Sequence, residues 1–154
     1  MVGFDYNTPG AYFITVCTKD RKNLLGRIVG DGALDVPEVQ LTTAGKVLHK
    51  HIIGGNRVRE ITVDKFVIMP NHFHMILLVN EVGNGTSRAP SPTNAIIPHF
   101  ISTLKRFCNQ EIGYNIFQRS YHDHVIRGEK DYLTIWEYID GNPGKWREDC
   151  FYTE

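Results

Sequence analysis

The sequence predicts an α+β protein with a ferredoxin-like antiparallel sheet, helices on one face of that sheet and one further helix at the C-terminal end. Runs typical of strands and helices follow in the order strand, helix, strand, strand, helix, strand, helix. The first six elements match the split βαβ arrangement, in which both crossover helices cover the same face. No internal repeat is visible in the 154 residues, so we expect a single domain spanning residues 1–154.

The strands are recognised by aromatic, β-branched and other apolar residues. They are predicted at Ala11–Thr18, Ile61–Met69, Phe73–Val79 and Tyr121–Ile126. The second and third of these flank a turn at Pro70-Asn71 and therefore form a hairpin. The glycine- and proline-rich stretch at residues 20–37 is predicted to be mostly loop, with one short strand near Arg27–Val29.

The helices are recognised by an apolar period of about 3.6 residues and by capping residues. They are predicted from Thr42 or Thr43 to about Ile53, from Asn94 to about Glu111, and from Tyr132 to about Asp140. Asp131 is the expected N-cap of the last helix, which ends at the Gly-Asn-Pro-Gly stretch. The segment Glu81–Thr93, rich in glycine, proline and small polar residues, is predicted to be a mobile loop or internal linker.

Composition limits the classes of function. Lysines plus arginines number 17 and so do aspartates plus glutamates, so any nucleic-acid binding should use a local basic patch rather than overall charge. Neither a signal peptide nor a membrane-length apolar run is visible, so we expect a cytoplasmic protein without membrane contact. Cys17, Cys108 and Cys150 have no short spacing, which favours three partly buried, unpaired thiols.

A pair of histidines begins the third strand. Because side chains alternate along a strand, His72 and His74 face one way while Phe73 faces the core on the other side. Two imidazoles on one face can hold one cation, although buried hydrogen-bonded histidines would give the same pattern. The pair at His122 and His124 is a rival, but the charged Asp123 between them favours a solvated strand or a supporting role.

The last helix carries a tyrosine outside its core stripe. At about 100° per residue, Tyr132, Ile135, Trp136 and Ile139 form that stripe, and Tyr138 lies about a third of a turn from its centre. Asn142 is expected one turn beyond Tyr138 on the same flank. An ordinary boundary tyrosine and a helix-ending asparagine would also fit this pattern.

Three segments together resemble the REP-associated tyrosine transposases, which belong to the single-tyrosine HUH transposases. These segments are Val67–His74, Phe117–Arg127 and Trp136–Pro143. The resemblance implies a ferredoxin-like or RRM-like fold, a metal pair at His72 and His74, completion of the metal site by Asn142, and Tyr138 as nucleophile. It also implies an endonuclease and strand transferase acting on single-stranded DNA hairpins through a 5′-phosphotyrosine link.

The implied chemistry suits these residues. Two neutral imidazoles and an amide oxygen leave a cation strongly Lewis acidic, and mixed nitrogen and oxygen ligands suit Mn²⁺ and tolerate Mg²⁺. A tyrosine ester preserves the phosphate bond for later resealing, which attack by water would not. Further phosphate contacts are candidates at Lys105, Arg106, Arg119, Arg127, Lys145 and Arg147, although each of these side chains would equally fit an ordinary solvated surface. His122 and His124 are expected to support the site or contact DNA, and a purely structural role would fit them equally well.

Two other functions remain open at this level. A metal phosphodiesterase would use His72 and His74 to activate water and would not need Tyr138. A non-catalytic RRM-like module would bind nucleic acid through aromatic stacking, without metal. A homodimer is a further possibility, because the helix that bears Tyr138 can pack on its own chain or on a partner chain.

Overall fold

The computed structural model describes residues 10–30, 36–54, 60–79 and 93–153, and its centre is a four-stranded antiparallel sheet. The elements in chain order are β1 Ala11–Cys17, β2 Gly26–Val29, β3 Glu38–Leu41, α1 Thr43–Ile53, β4 Ile61–Ile68, β5 His72–Val79, α2 Thr93–Ile112, β6 His122–Val125 and α3 Glu129–Gly141. Short 3₁₀ turns lie at Lys19–Arg21 and Pro143–Glu148. The strand order β4-β5-β1-β6 is that of the predicted ferredoxin-like fold, which is thereby confirmed.

The register of the sheet determines which side chains share a face. β5 lies between β4 and β1, with Thr15 opposite His74 and Cys17 opposite His72. Because directly opposed residues of antiparallel strands point to the same face, these four side chains line one side of the sheet. Phe73 points to the other side, as the alternation predicts, and is fully buried there.

Two cores lie on opposite faces of the sheet. The larger one packs α1 and α2 against alternate residues of the central strands, including Ile14, Phe73 and Met75. The smaller one packs α3 against the other face, where Ile76 and Leu78 belong to one buried cluster with Ile135 and Ile139. α3 therefore covers the face that bears the two histidines.

Close packing and local caps place the helices. Thr42 is the N-cap of α1, and its hydroxyl accepts a hydrogen bond from the Gly45 amide at 3.1 Å, in agreement with one of the two predicted caps. A Cβ on Gly45 would collide with the Leu25 carbonyl, so this turn of α1 requires glycine. On the other face, the Tyr132 hydroxyl donates to Asp64 at 2.6 Å and holds α3 against β4.

The predicted start of α3 was wrong. The helix begins after Gly128, whose φ of 96° favours glycine, and this N-cap makes no side-chain hydrogen bond. Asp131 lies in the first turn, where it accepts from the Arg127 amide and from His124, each at 2.9 Å. Asp131 was predicted as the N-cap but lies within the first turn. A carboxylate is favourable at both places, because each is close to the positive end of the helix dipole.

Trp136 and Cys150 are more exposed than expected. Trp136 is 37% exposed and receives Lys65 Nζ at 3.7 Å from its ring centroid, so the core stripe of α3 is narrower than predicted. Cys17 and Cys108 are buried, but Cys150 is exposed.

One short hairpin was missed. β2 agrees with the predicted short strand near Arg27–Val29, and it pairs with β3, which begins directly after the predicted loop where no strand was expected. The predicted loop Glu81–Thr93 lies outside the described residues except for its last position. Within the described ranges, no helix has the length and apolar character needed to cross a bilayer.

Candidate metal and nucleophile site

The two histidines of β5 lie side by side beneath the C-terminal end of the chain. His72 is 0% exposed and His74 is 1% exposed. Their ring centroids are 4.6 Å apart, and their Nε2 atoms are 3.1 Å apart. Two ligand atoms bound to one cation at about 2.1 Å each, near a right angle, would lie about 3 Å apart. The spacing of the pair therefore fits shared binding of one ion.

Hydrogen bonds at Nδ1 orient both rings. His72 Nδ1 lies 2.9 Å from Asn71 Oδ1, which can only accept, so this nitrogen carries the proton and Nε2 keeps its lone pair. His74 Nδ1 lies 2.7 Å from the Thr15 hydroxyl, which can act in either direction. Donation from Nδ1 to Thr15 would leave Nε2 of His74 equally available. These are the outer contacts that commonly orient metal-binding histidines.

Asn71 is itself held by the backbone of two other segments. Its Nδ2 donates to the carbonyls of Phe151 at 2.6 Å and Arg21 at 3.2 Å. These bonds settle which end of the amide faces His72. Asn71 was not predicted as a site residue, although its position in the turn before His72 was the available signal.

Burial keeps both imidazoles neutral. It lowers the pKa of His72 to about 4, with the nearby Asp149 carboxylate acting in the opposite direction. Burial also holds the pKa of His74 well below its ordinary value, and the neighbouring His72 lowers it further. The neutral form is the one that binds a cation, so the pair is ready to do so near pH 7.

Asn142 contributes a buried oxygen without a hydrogen bond among the described residues. The residue is 3% exposed, and its Oδ1 is the unpaired atom. Its Nδ2 donates to the Tyr138 carbonyl at 3.3 Å, one turn earlier in α3. A buried amide oxygen without a donor is costly, so a cation is a fitting partner for it.

Asp149 is a potential ligand that the sequence did not reveal. Its side chain is 2% exposed, and its Oδ2 lies 3.7 Å from His72 Nε2. One ligand atom from each of His72, His74 and Asp149 lies within 4.8 Å of the other two. Asp149 follows the 3₁₀ turn Pro143–Glu148, in a segment without an apolar period, so no pattern could place it beside β5.

Tyr138 lies next to the pair within the same chain. Its ring centroid is 5.3 Å from that of His74 and 6.1 Å from that of Phe13. The residue is 42% exposed, so part of it is open to solvent. Partial burial raises the pKa of the phenol, and the Asn142 side chain acts in the opposite direction.

Aromatic rings from the C-terminal segment cover the pair. The Phe151 ring centroid is 4.6 Å from that of His72 and 6.2 Å from that of His74. The Trp146 ring stacks on His72 at 6.0 Å. The site thus combines the head of β5, the end of α3 and the last dozen residues of the described chain.

The predicted phosphate-binding residues are dispersed. Lys105 Nζ donates to the Gln118 carbonyl at 2.8 Å and lies 3.4 Å from the next two carbonyls, and burial lowers its pKa. This amine is therefore engaged in holding the segment before β6. Arg106, Arg119, Arg127, Lys145 and Arg147 are exposed.

The second histidine pair lies apart from the first. His122 is opposite Thr15 in β1, so it shares a face with His74 two strands away and is exposed. His124 is also exposed, and its Nε2 lies 2.9 Å from Asp131. Among the described residues, neither side chain makes a hydrogen bond to His72 or His74.

Comparison with known proteins adds a family context to this geometry. A protein of Haemophilus influenzae with no characterised function is 32% identical over 98% of this chain and 89% of its own length. A REP-associated tyrosine transposase of Escherichia coli is 29% identical over 91% of this chain and 70% of its own length. No protein-family model matches the chain.

A solved structure shares the fold. It is a REP-associated tyrosine transposase bound to a REP hairpin, and it superposes with a TM-score of 0.61 at 27% sequence identity. The match covers 88% of this chain and 67% of the other. The predicted family resemblance is confirmed by these similarities.

Proposed function

Because this chain is similar to REP-associated tyrosine transposases in both sequence and fold, we propose that it cuts and rejoins single-stranded DNA in a divalent-metal-dependent reaction, with Tyr138 as nucleophile. The observation that carries this proposal is the position of Tyr138. Its ring lies 5.3 Å from that of His74 in the same chain, while the pair leaves room for a shared cation. One chain therefore supplies both halves of the proposed reaction.

His72 and His74 would hold the cation through Nε2. Oxygen ligands would come from Asn142 Oδ1, which has no hydrogen bond among the described residues, and from the Asp149 carboxylate. Two nitrogens with amide and carboxylate oxygens form a donor set suited to Mn²⁺ or Mg²⁺. When bound, the cation would act as a Lewis acid that neutralises charge on the phosphate and orients it for in-line attack.

Tyr138 would exchange one phosphate ester for another. Its phenol oxygen attacks phosphorus, and the bond from phosphorus to the 3′ oxygen of the preceding nucleotide breaks. The proton lost by the phenol balances the one gained by that 3′ oxygen, so the products are a 5′-phosphotyrosine and a free 3′-hydroxyl. Attack by a 3′-hydroxyl on the tyrosine ester reverses the step and reseals DNA.

The raised pKa of Tyr138 has a consequence for this step. The phenol is protonated near neutral pH, so it has to lose its proton during attack rather than before it. Asn142, one turn further along the helix, favours the ionised form and therefore assists that loss. Asn142, at the end of α3, would therefore both bind the cation and assist the nucleophile.

Single-stranded DNA containing a hairpin is the proposed substrate, since the related transposase of known structure is bound to a REP hairpin. Exposed Arg106, Arg119, Arg127 and Lys145 are proposed to contact phosphates, whereas Lys105 would act mainly by supporting the backbone before β6. His122 and His124 would contact DNA rather than the cation. This proposal does not need a homodimer, because the Tyr138 ring lies 5.3 Å from the His74 ring of the same chain.

The test is formation of a covalent protein–DNA adduct. Protein, Mn²⁺ and a single-stranded DNA pool with a fixed hairpin and randomised flanks are incubated and then denatured for electrophoresis. We expect an adduct with the unaltered protein, none with Tyr138→Phe, and a normal yield with Tyr114→Phe. Tyr114 is a matched control because it is 60% exposed and lies outside the site.

Other outcomes would indicate other functions. Cleavage that persists in Tyr138→Phe and leaves free 5′-phosphates would indicate a phosphodiesterase that uses water. DNA binding without cleavage, unchanged by a chelator and by His72→Ala with His74→Ala, would indicate a non-catalytic binding module. Either outcome would contradict the proposed role of Tyr138.

A further inference from the structure

A large groove opens beside the metal and nucleophile site, and the function proposed so far uses it only through Lys145, one of its lining residues. It lies between the β2–β3 hairpin and the C-terminal segment from Pro143 to Thr153, and its volume is about 1080 Å³. Binding sites for small molecules commonly measure about 300–1000 Å³, so this space can accept a ligand of considerable size. We call it the hairpin groove.

The hairpin groove concentrates positive charge in a chain that is neutral overall. Its lining includes Arg27, Lys46, Lys145 and Arg147, with Glu148 as its acidic residue among the described positions. All four basic side chains are exposed, and none forms a salt bridge with a described carboxylate. Unpaired cations in a concave surface attract a polyanion. This is the local basic patch that a neutral nucleic-acid-binding chain would need.

Arg27 has an oriented guanidinium at the groove wall. It stands on β2 opposite Gln40 of β3, and its Nε donates to Gln40 Oε1 at 2.7 Å. The other guanidinium nitrogens make no hydrogen bond to a described residue and can therefore bind an anion. An arginine held in this way loses less conformational freedom when it contacts a phosphate.

Aromatic rings connect the groove with the metal pair. Trp146 and Tyr152 both line the groove, and their rings meet edge to face at 5.2 Å. The same Trp146 ring stacks on His72 at 6.0 Å. A DNA strand lying in the groove can therefore stack a base on Tyr152. The Tyr152 and Trp146 rings would then connect that base with His72. Basic side chains combined with stacking rings are typical of single-strand binding surfaces.

We propose that the hairpin groove binds the unpaired nucleotides that adjoin the scissile phosphate. Arg27 and Lys46 contact phosphates along the groove wall, and Tyr152 stacks a base. The β2–β3 hairpin thereby positions the DNA strand so that its scissile phosphate lies at His72 and His74. This inference rests on the proposed function, because it presupposes a single-stranded DNA substrate.

The test measures DNA binding without added divalent metal, so that no cleavage interferes. Two fluorescent probes share one hairpin, and only one of them carries a single-stranded extension. The variant is Arg27→Gln with Lys46→Gln. The control is Lys50→Gln with Lys130→Gln, which removes the same charge from exposed helix positions outside the groove.

We expect the groove variant to weaken binding of the extended probe and to leave the plain hairpin at the affinity of the control. Each lost contact with a single-strand phosphate should make the dependence of log affinity on log salt shallower by about 0.7, hence by about 1.4 for the double variant. Tyr152→Leu should weaken the extended probe alone by about tenfold. Circular dichroism confirms folding of each variant.

Equal losses on both probes, or a salt dependence equal to that of the control, would overturn the assignment of the groove. If those results came with a normal covalent adduct at Tyr138, the proposed function would stand and only the groove inference would fail. If the unaltered protein bound neither probe, both proposals would fall together.

Discussion

At the scale of single residues, the candidate site consists of the two imidazoles and of the side chains that orient them. Thr15 and Asn71 each bond one Nδ1 atom, at 2.7 Å and 2.9 Å. The sequence predicted the pair and its shared face, because alternation along a strand is a local property. It could not identify Thr15 as a partner, because that contact joins residues 59 positions apart.

Thr15→Val tests this support. Valine keeps the shape of threonine but removes the hydrogen bond that orients His74, so we expect Mn²⁺ to bind about tenfold more weakly. Isothermal titration calorimetry measures the affinity. Thr134→Val is the control, since that hydroxyl donates only to the Lys130 carbonyl on the exposed side of α3. Equal affinity in Thr15→Val and the unaltered protein would exclude the supporting role.

The proposed oxygen ligands can be tested by replacing each one. Asp149→Asn removes the carboxylate near His72, and Asn142→Ala removes the buried oxygen that has no hydrogen bond among the described residues. We expect each change to weaken Mn²⁺ binding by at least about tenfold, since it deletes a donor atom rather than an outer contact. An affinity loss in only one variant would identify the single oxygen ligand and remove the other from the site.

The lowered histidine pKa values predict an unusual pH range for metal binding. Burial lowers the pKa of His72 to about 4 and holds that of His74 well below its usual range. Protons therefore begin to compete with the cation well below the usual imidazole value of about 6.5. Mn²⁺ affinity should stay nearly constant from about pH 7 to about pH 5.5 and fall towards pH 4. A steep fall beginning at pH 6.5 would show ordinary imidazoles.

At the scale of elements, the long helices and strands followed their patterns apart from the start of α3, whereas the short strand β3 was missed. α1 begins and ends where its cap and its glycines predict, because the signals are local. The β2–β3 hairpin has strands of four residues each, too short for a reliable period. Trp136 was wrongly assigned to the core because helical angle alone does not show that Lys65 would cover the ring at the surface.

Gly45 provides a stability test at this scale. Alanine there would place a Cβ against the Leu25 carbonyl, so Gly45→Ala should lower the free energy of unfolding by roughly 1–3 kcal/mol. Gly141→Ala, in the last turn of α3 with nothing within 4 Å of its Cβ, should raise it by about 0.5–1 kcal/mol. Urea titration measures both. Similar changes in the two variants would contradict the close approach of α1 to Leu25.

At the scale of the whole molecule, the fold explains how distant segments assemble one site. The antiparallel sheet sets β5 beside β1, α3 crosses the same face, and the 3₁₀ turn Pro143–Glu148 returns the chain to His72. The sequence predicted the sheet from its apolar patterns. It also predicted His72, His74, Tyr138 and Asn142 as candidate site residues, because each of them lies in a recognisable motif. It did not predict Asp149, Phe151 or the hairpin groove, which arise only where separate segments meet.

The most direct test of the account is to locate the covalent link on the protein. After reaction with the hairpin DNA pool and digestion by nuclease and trypsin, mass spectrometry should find a nucleotide on the peptide 131–145. Because this peptide contains both Tyr132 and Tyr138, fragmentation must distinguish them. The account predicts the phosphate on Tyr138. A link to Tyr132 or to another residue, or cleaved DNA with free 5′-phosphates and no link, would contradict it.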